Sequence, residues 1–167
     1  MNGATVGAVA GVAFGCAWAI AGATAMPSPW RAWVIGLSMA ISAALIVALA
    51  ASPAPHEQST FRGQVYGLTV ALEVAGIIMV VSLLKYFALA KFLLPAIGFV
   101  VGLHFVGLWK ATDLSLFLWT AAAMCIVCFG AALLAGSGGS EGIDISRIVC
   151  GLGCALVLWV AGAASLF

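Results

Sequence analysis

Residues 65–84 read VYGLTVALEVAGIIMVVSLL, an apolar run that contains one charged side chain, Glu73. About 20 consecutive apolar residues are needed for a helix to cross the hydrocarbon core of a bilayer. A β-barrel strand needs only about ten residues and alternates polar with apolar side chains, whereas this run is apolar on every face. The run therefore predicts a transmembrane helix.

Similar runs occupy most of the chain, which has 167 residues, 65% of them hydrophobic and 7% charged. A water-soluble domain of this composition would expose large apolar patches. The sequence therefore predicts an all-α, polytopic integral membrane protein, with a single domain over 1–167 that forms a bundle of six transmembrane helices. The predicted spans are Val6–Ala25, Trp33–Ala51, Val65–Leu84, Phe92–Trp109, Leu114–Ala135 and Ile145–Leu166.

The ends of the predicted helices indicate an orientation. The first residues carry no Lys or Arg, so they lack the basic segment of a secretory signal peptide, and the first run is expected to remain as a span. Basic residues in short loops favour the cytoplasmic side. The loops after the first, third and fifth helices hold four basic residues and the other loops hold two, which predicts both termini outside. The four are Arg31, Lys85, Lys91 and Arg147, and the two are Arg62 and Lys110.

Small residues recur at four-residue spacing in the first predicted helix. Such a glycine zipper lets another helix backbone approach closely in a membrane, where lipid gives helices no hydrophobic drive to associate. The partner could be a helix of the same chain or a second copy of it. The predicted packing residues are Gly3, Gly7, Gly11 and Gly15, followed in phase by Ala19 and Ala23, with Gly98 and Gly102 as a shorter version on the fourth helix.

Two ionisable residues, Glu73 and His104, fall inside neighbouring predicted spans. Charged groups near a helix centre cost roughly 2.5–3.5 kcal/mol on insertion scales, so they usually face a bundle interior or a polar cavity. The short connection Lys85–Lys91 makes the two helices antiparallel neighbours, which allows the two side chains to meet. The pair is predicted either to handle protons or cations, or to act as a buried polar clamp that fixes the helix register.

Other polar residues could extend this site. Thr69 lies one turn before Glu73 on the same helix face. On the second helix, Arg31, Ser38 and Ser42 share a face. Arg31 could form the basic entrance of a transport path, and the two serines could line it with hydroxyl groups. The alternative for these three is an arginine that extends to the membrane surface and two small packing residues.

Four cysteines form two pairs on consecutive helices. Thiolates are the ligands that soft metals such as Cu(I) or Zn(II) prefer, but a buried cysteine often acts as a small apolar residue. The four could converge because a Gly/Ser-rich linker joins the two helices. They are Cys125 and Cys128 on the fifth helix and Cys150 and Cys154 on the sixth.

Two acidic residues, Asp113 and Asp144, directly precede the fifth and sixth helices. Carboxylates at this position cap the free amides of a helix N-terminus. Both residues are therefore predicted to be helix caps.

Several functional classes lack their required residues. No basic cluster is present that could follow nucleic-acid phosphates, and no phosphate-binding loop occurs. His104 is the one histidine within a predicted span, so a bis-histidine haem is not expected. We therefore predict no cofactor, no nucleic-acid partner and no enzymatic activity.

The fourth helix also carries a longer pattern. Leu94-Pro95-Ala96-Ile97 is followed by Val101-Gly102-Leu103-His104-Phe105, a run that resembles one found in small bacterial multi-span membrane proteins, where an acidic helix precedes it. This resemblance covers the third and fourth helices and implies no activity. It favours a location in a bacterial inner membrane.

Three functions fit the sequence. The first is a small transporter or channel for protons, cations or a small polar solute that uses Glu73 and His104. The second is a non-catalytic structural or assembly subunit, with the lipid bilayer, further copies or other membrane proteins as partners. The third is soft-metal handling by thiols.

Overall fold

The structure is a computed structural model that describes residues 3–52, 62–137 and 144–166. In these ranges the chain is helical, without strands. The elements are α1 Gly3–Ala23, α2 Ser28–Ala51, α3 Gly63–Tyr86, a 3-10 turn Ala90–Phe92, α4 Leu93–Thr112, α5 Ser115–Gly136 and α6 Ile145–Ala164. The predicted all-α class and the six helices are confirmed.

Five helices, α2 to α6, are long and apolar enough to cross a membrane, and α1 is apolar over Ala8–Ala23. The chain is therefore an integral membrane protein. Large apolar side chains are widely exposed, among them Trp33 at 78%, Ile126 at 71% and Leu72 at 63%. This exposure is what contact with lipid requires, because the hydrocarbon core offers apolar side chains a favourable environment.

Helix ends differ from the predicted spans by up to five residues. The helix α2 begins at Ser28 rather than Trp33 because Pro29 lies in its first turn, where the fixed proline φ suits a helix. The helix α4 continues past Trp109 to Thr112. An apolar run marks the part of a helix inside the hydrocarbon core, whereas the hydrogen-bonded helix extends into the interface.

The helices group into two compact units, Met1–Gln58 with Ser140–Phe167 and Ser59–Gly139. In the described residues the first unit contains α1, α2 and α6, and the second contains α3, α4 and α5. In the first unit α1 packs against both α2 and α6, and in the second α4 packs against both α3 and α5. The prediction of one domain over 1–167 stays a prediction.

In the first unit, the closest helix approach joins Gly22 of α1 to Gly151 of α6. A Cβ atom added at Gly151 would overlap the Gly22 backbone and lie 2.7 Å from the carbonyl oxygen of Trp18. Gly15 also touches α6, where an added Cβ would lie 2.8 Å from Nε1 of Trp159. Glycine at these positions lets the α1 and α6 backbones meet.

The predicted packing residues have different surroundings. Gly15 lies against α6, and Ala19 and Ala23 of the same helix are fully buried. Gly11 has no atom near the position of an added Cβ. Gly3 and Gly7 belong to α1, but their surroundings lie outside the described residues. The observed contact therefore extends along α1, because Gly22 also takes part near its end and Gly162 of α6 packs against Val12.

In the second unit, glycines bring α4 close to both neighbours. An added Cβ at Gly102 would lie 3.0 Å from Sγ of Cys125 on α5. One at Gly107 would overlap the side chain of Thr69 on α3. Gly98 is buried. The predicted Gly98 and Gly102 therefore lie on the packed part of α4, and Gly107 adds a contact to α3.

Candidate functional site

Glu73 of α3 and His104 of α4 meet within the second unit. His104 Nδ1 lies 3.2 Å from Glu73 Oε2, and the side chains are 11% and 21% exposed, respectively. The two atoms are within ion-pair distance, but the geometry at the buried Nδ1 falls short of a well-aligned hydrogen bond. The sequence allowed the two side chains to meet, and the structure shows them as a close, imperfectly satisfied pair.

The turn between α3 and α4 makes the two helices antiparallel. After α3 ends at Tyr86, Ala88 adopts a left-handed conformation with φ of 55°, and the 3-10 turn leads into α4. Pro95 is buried in the first turn of α4, where its missing backbone N–H has no helical partner to lose. The tight turn fixes which residues of the two helices face each other.

Small residues lie on both sides of the Glu73–His104 pair. One turn towards the start of α3, Thr69 packs on Gly107, and one turn in the other direction Val100 packs on Gly76. Each contact joins a residue with a side chain to a glycine on the opposite helix. The α3 and α4 backbones are therefore close above and below the pair, which holds the carboxylate and the imidazole together.

The pair lies deep in the membrane. At 1.5 Å per residue, Glu73 is about 15 Å from the start of α3 and His104 is about 12 Å from the end of α4. Those two helix ends share one membrane face, and the hydrocarbon core is about 30 Å thick. Both side chains therefore lie well inside their helices, far from the helix ends and at similar depth.

Thr69 lies one turn from Glu73 on α3, and its hydroxyl does not donate to Glu73. Its hydroxyl donates to the carbonyl oxygen of Val65, at 2.8 Å. The remaining lone pairs of the hydroxyl are still able to accept. Thr69 therefore serves the site mainly through its packing against Gly107.

The three other predicted polar residues belong to the first unit and have their own partners there. Arg31 donates from Nη2 to the carbonyl oxygen of Met26, at 3.0 Å. Ser38 donates to the carbonyl oxygen of Val34, at 2.7 Å, and Ser42 accepts from Nε1 of Trp159, at 3.0 Å. Both serines are buried, and their hydroxyls satisfy polar groups within the α1–α2–α6 unit.

The cysteines are divided between the units. Cys125 is half-buried and Cys128 is buried on α5, whereas Cys150 and Cys154 are buried on α6. Within each helix the two thiols are one turn apart, as predicted. The convergence of all four thiols stays a prediction.

One capping prediction is confirmed and the other is wrong. Asp144 Oδ1 accepts a hydrogen bond from the backbone N–H of Arg147, at 3.0 Å, at the start of α6. Asp113 does not cap α5, whose N-cap is Leu114. Instead it ends α4 with φ of 59° and pairs with Arg62 at 3.2 Å. Asp113 is the first residue beyond α4, and from there its carboxylate reaches the start of α3.

Several contacts were absent from the sequence predictions, among them the Arg62–Asp113 ion pair, the Trp159–Ser42 hydrogen bond and the Thr69–Gly107 packing. The last had a signal in the sequence. Thr69 is four residues before Glu73, and Gly107 is three after His104, so antiparallel helices that join the charged pair also join these two. The Trp159–Ser42 contact had no local signal because it joins helices far apart in sequence.

Comparison with known proteins gives no match, since no protein-family model, no curated protein and no solved structure is similar to this chain. The resemblance of the fourth helix to small bacterial membrane proteins therefore stays a prediction.

Proposed function

We propose that this protein is a small transporter or channel for protons, cations or a small polar solute, located in a bacterial inner membrane. The observation that carries the proposal is the 3.2 Å contact between Glu73 and His104. Ionisable groups near the middle of a membrane are costly, and they mark ion pathways and proton relays more often than structural contacts.

The chemistry of the pair favours a proton. A carboxylate at this distance can exchange a proton with an imidazole nitrogen. The buried Nδ1 lacks a well-aligned hydrogen bond, so a transferred proton or a small polar group would satisfy an atom that the protein leaves unsatisfied. Such an atom costs several kcal/mol in hydrocarbon.

The packing around the pair favours a small transported species. Gly107 and Gly76 bring α3 and α4 together one turn above and one turn below it. A proton or a small cation needs little room between the helices, whereas a larger solute would require them to separate. In the predicted orientation, with both termini outside, the nearer membrane face is the one at the start of α3, on the outer side.

A flux measurement tests the proposal. Purified protein is reconstituted in liposomes with an internal pH-sensitive dye, and proton flux is driven by an imposed pH gradient and membrane potential. We expect Glu73→Gln to lower the flux at least tenfold, because an amide does not release a proton. A tenfold loss corresponds to a barrier to proton transfer that is higher by about 1.4 kcal/mol. His104→Gln is expected to have a similar effect.

Asp113→Asn is the matched control for this experiment. It makes the same acid-to-amide change in the same unit, but at an exposed ion pair, so the flux should stay close to that of the wild type. A silent wild-type protein would contradict proton conduction, and equal flux in the wild type and Glu73→Gln would exclude the pair from it.

A second candidate function is that of a structural subunit in a larger membrane complex. The observation that favours it is α3, which has no buried residue in the described part of the chain. Its exposed residues include Gly67, Ala71 and Ala75 at four-residue spacing, and an added Cβ at Gly67 meets no atom. Stable co-purification of another membrane protein, lost on Gly67→Leu, together with no flux would support this function.

A further inference from the structure

We propose that the turn between α1 and α2, together with the start of α6, binds the headgroup of an anionic phospholipid through Arg31 and Arg147. This inference concerns the first unit alone and does not depend on the proposed transport function.

Both arginines bind to the same short turn. Arg31 donates from Nε and Nη2 to the carbonyl oxygen of Met26, at 3.4 and 3.0 Å. Arg147 donates from Nη2 to the hydroxyl of Thr24, at 3.2 Å. Thr24 and Met26 are two residues apart, about 7 Å of backbone at most, so both cations are anchored to the same turn at one end of the unit.

The close α1–α6 contact explains how Arg147 reaches this turn. Gly151 and Gly22 allow the two backbones to meet, and an added Cβ at Gly22 would lie 3.3 Å from the carbonyl oxygen of Arg147. Arg147 is one turn before Gly151 on α6. Its side chain therefore lies beside the end of α1, close enough to reach Thr24.

Charge on this surface is unbalanced. Asp144 is the acidic residue nearest to Arg147, and it uses Oδ1 to cap α6 while Oδ2 lies 3.9 Å from Nε of Arg147. Among the described residues, no carboxylate lies within ion-pair distance of Arg31. Within the part of the chain that the structure describes, two arginines against one aspartate leave this surface with a net positive charge that a phosphate can neutralise.

The guanidinium groups keep donors for a phosphate. Each guanidinium has five N–H donors, and the hydrogen bonds described above engage two from Arg31 and one from Arg147. Arginine binds phosphate oxygens in a bidentate manner. The side chains are exposed, which leaves both cations accessible at the membrane surface.

Aromatic residues place this surface at headgroup depth. Trp30 and Trp33 at the start of α2 are 67% and 78% exposed, and exposed tryptophans concentrate at membrane interfaces. Basic pockets at helix ends on the cytoplasmic side bind anionic headgroups. A phospholipid can place its phosphate between the two arginines and its acyl chains along the exposed apolar side chains of α2, which is why a lipid rather than a soluble anion is the proposed occupant.

The test is a titration of the detergent-solubilised full chain with phosphatidylglycerol, followed by native mass spectrometry. We expect phosphatidylglycerol to bind more tightly than phosphatidylcholine. Each arginine replaced by glutamine should weaken that binding about fivefold, as expected for one basic residue near an anionic surface. The double variant Arg31→Gln, Arg147→Gln should lose about 25-fold, and added salt should reduce the difference.

Arg62→Gln is the matched control because Arg62 is an exposed arginine that is already paired with Asp113. It should change phosphatidylglycerol binding less than twofold. If the double glutamine variant does not fold, Arg31→Lys with Arg147→Lys keeps both charges and should bind the lipid more weakly than the wild type. The folded state of each variant is checked by thermal unfolding.

Four results would overturn the proposal. They are equal binding of phosphatidylglycerol and phosphatidylcholine by the wild type, unchanged binding in the double variant, an equal loss in Arg62→Gln, and displacement of the lipid by millimolar inorganic phosphate. The last result would indicate a soluble anion in place of a lipid.

Discussion

Replacing Gly151 with alanine is expected to destabilise the protein by about 1–3 kcal/mol, the usual cost of overpacking. The added Cβ would overlap the Gly22 backbone and crowd the carbonyl oxygen of Trp18. Backbone atoms, unlike the end of a flexible side chain, move only if the two helices separate. Gly151→Leu should cost more and prevent α1 from packing on α6. Equilibrium unfolding in mixed detergent micelles measures both effects.

Two glycines in α1 provide graded controls for this prediction. At Gly22 an added Cβ would lie 3.0 Å from the Gly151 Cα, so Gly22→Ala should cost less than Gly151→Ala. At Gly11 it would meet no atom, so Gly11→Ala should be neutral or stabilising, since alanine favours a helix by up to about 1 kcal/mol over glycine. An equal loss of stability at Gly11 and Gly151 would contradict the observed packing and favour the predicted zipper.

Replacing Gly107 with alanine is expected to separate Glu73 from His104. The added Cβ would overlap the side chain of Thr69, including its Cβ atom, so α3 and α4 must move apart one turn from the charged pair. We expect a loss of about 1–3 kcal/mol in stability. If the pair conducts protons, the flux should fall as well, although neither ionisable residue has changed.

The double variant Gly107→Ala, Thr69→Ala tests whether overlap with the Thr69 side chain causes the losses of stability and flux. Removing the Thr69 hydroxyl and methyl relieves most of the overlap, so the second change should recover part of the stability and of the flux. Interacting residues give non-additive changes of about 0.5–3 kcal/mol in such a cycle. Gly130→Ala on α5 is the control, because an added Cβ there meets no atom. Purely additive losses at Gly107 and Thr69 would contradict the contact.

Much of the candidate site was predictable because its residues lie close together in the sequence. Glu73 and His104 lie on consecutive helices joined by a short turn, so their helical positions and the antiparallel arrangement limit where they can be. Counting residues from the ends of α3 and α4 places the two side chains at similar depth. The geometry at His104 Nδ1 depends on side-chain conformation, which residue spacing does not specify.

Contacts between helices distant in sequence were less predictable. Four-residue glycine spacing indicated a close contact for α1, but Gly11 and Gly15 are equivalent in that pattern, and only Gly15 of the two touches α6. The crossing point depends on how α1 and α6 pack as whole helices. In the same way, Asp113 ends α4 in a left-handed conformation and pairs with Arg62 instead of capping α5, an arrangement that involves a residue 51 positions away.

By itself, the sequence determined that this chain is helical and lies in a membrane, because long apolar runs must satisfy their backbone hydrogen bonds internally in hydrocarbon. It also determined which ionisable groups the membrane has to accommodate. Only the tertiary structure decided that Ser42 accepts a hydrogen bond from Trp159 and that Arg31 and Arg147 both donate to the turn between α1 and α2. Those outcomes depend on helix crossing points, which arise from the packing of many side chains and have no signature in any single helix.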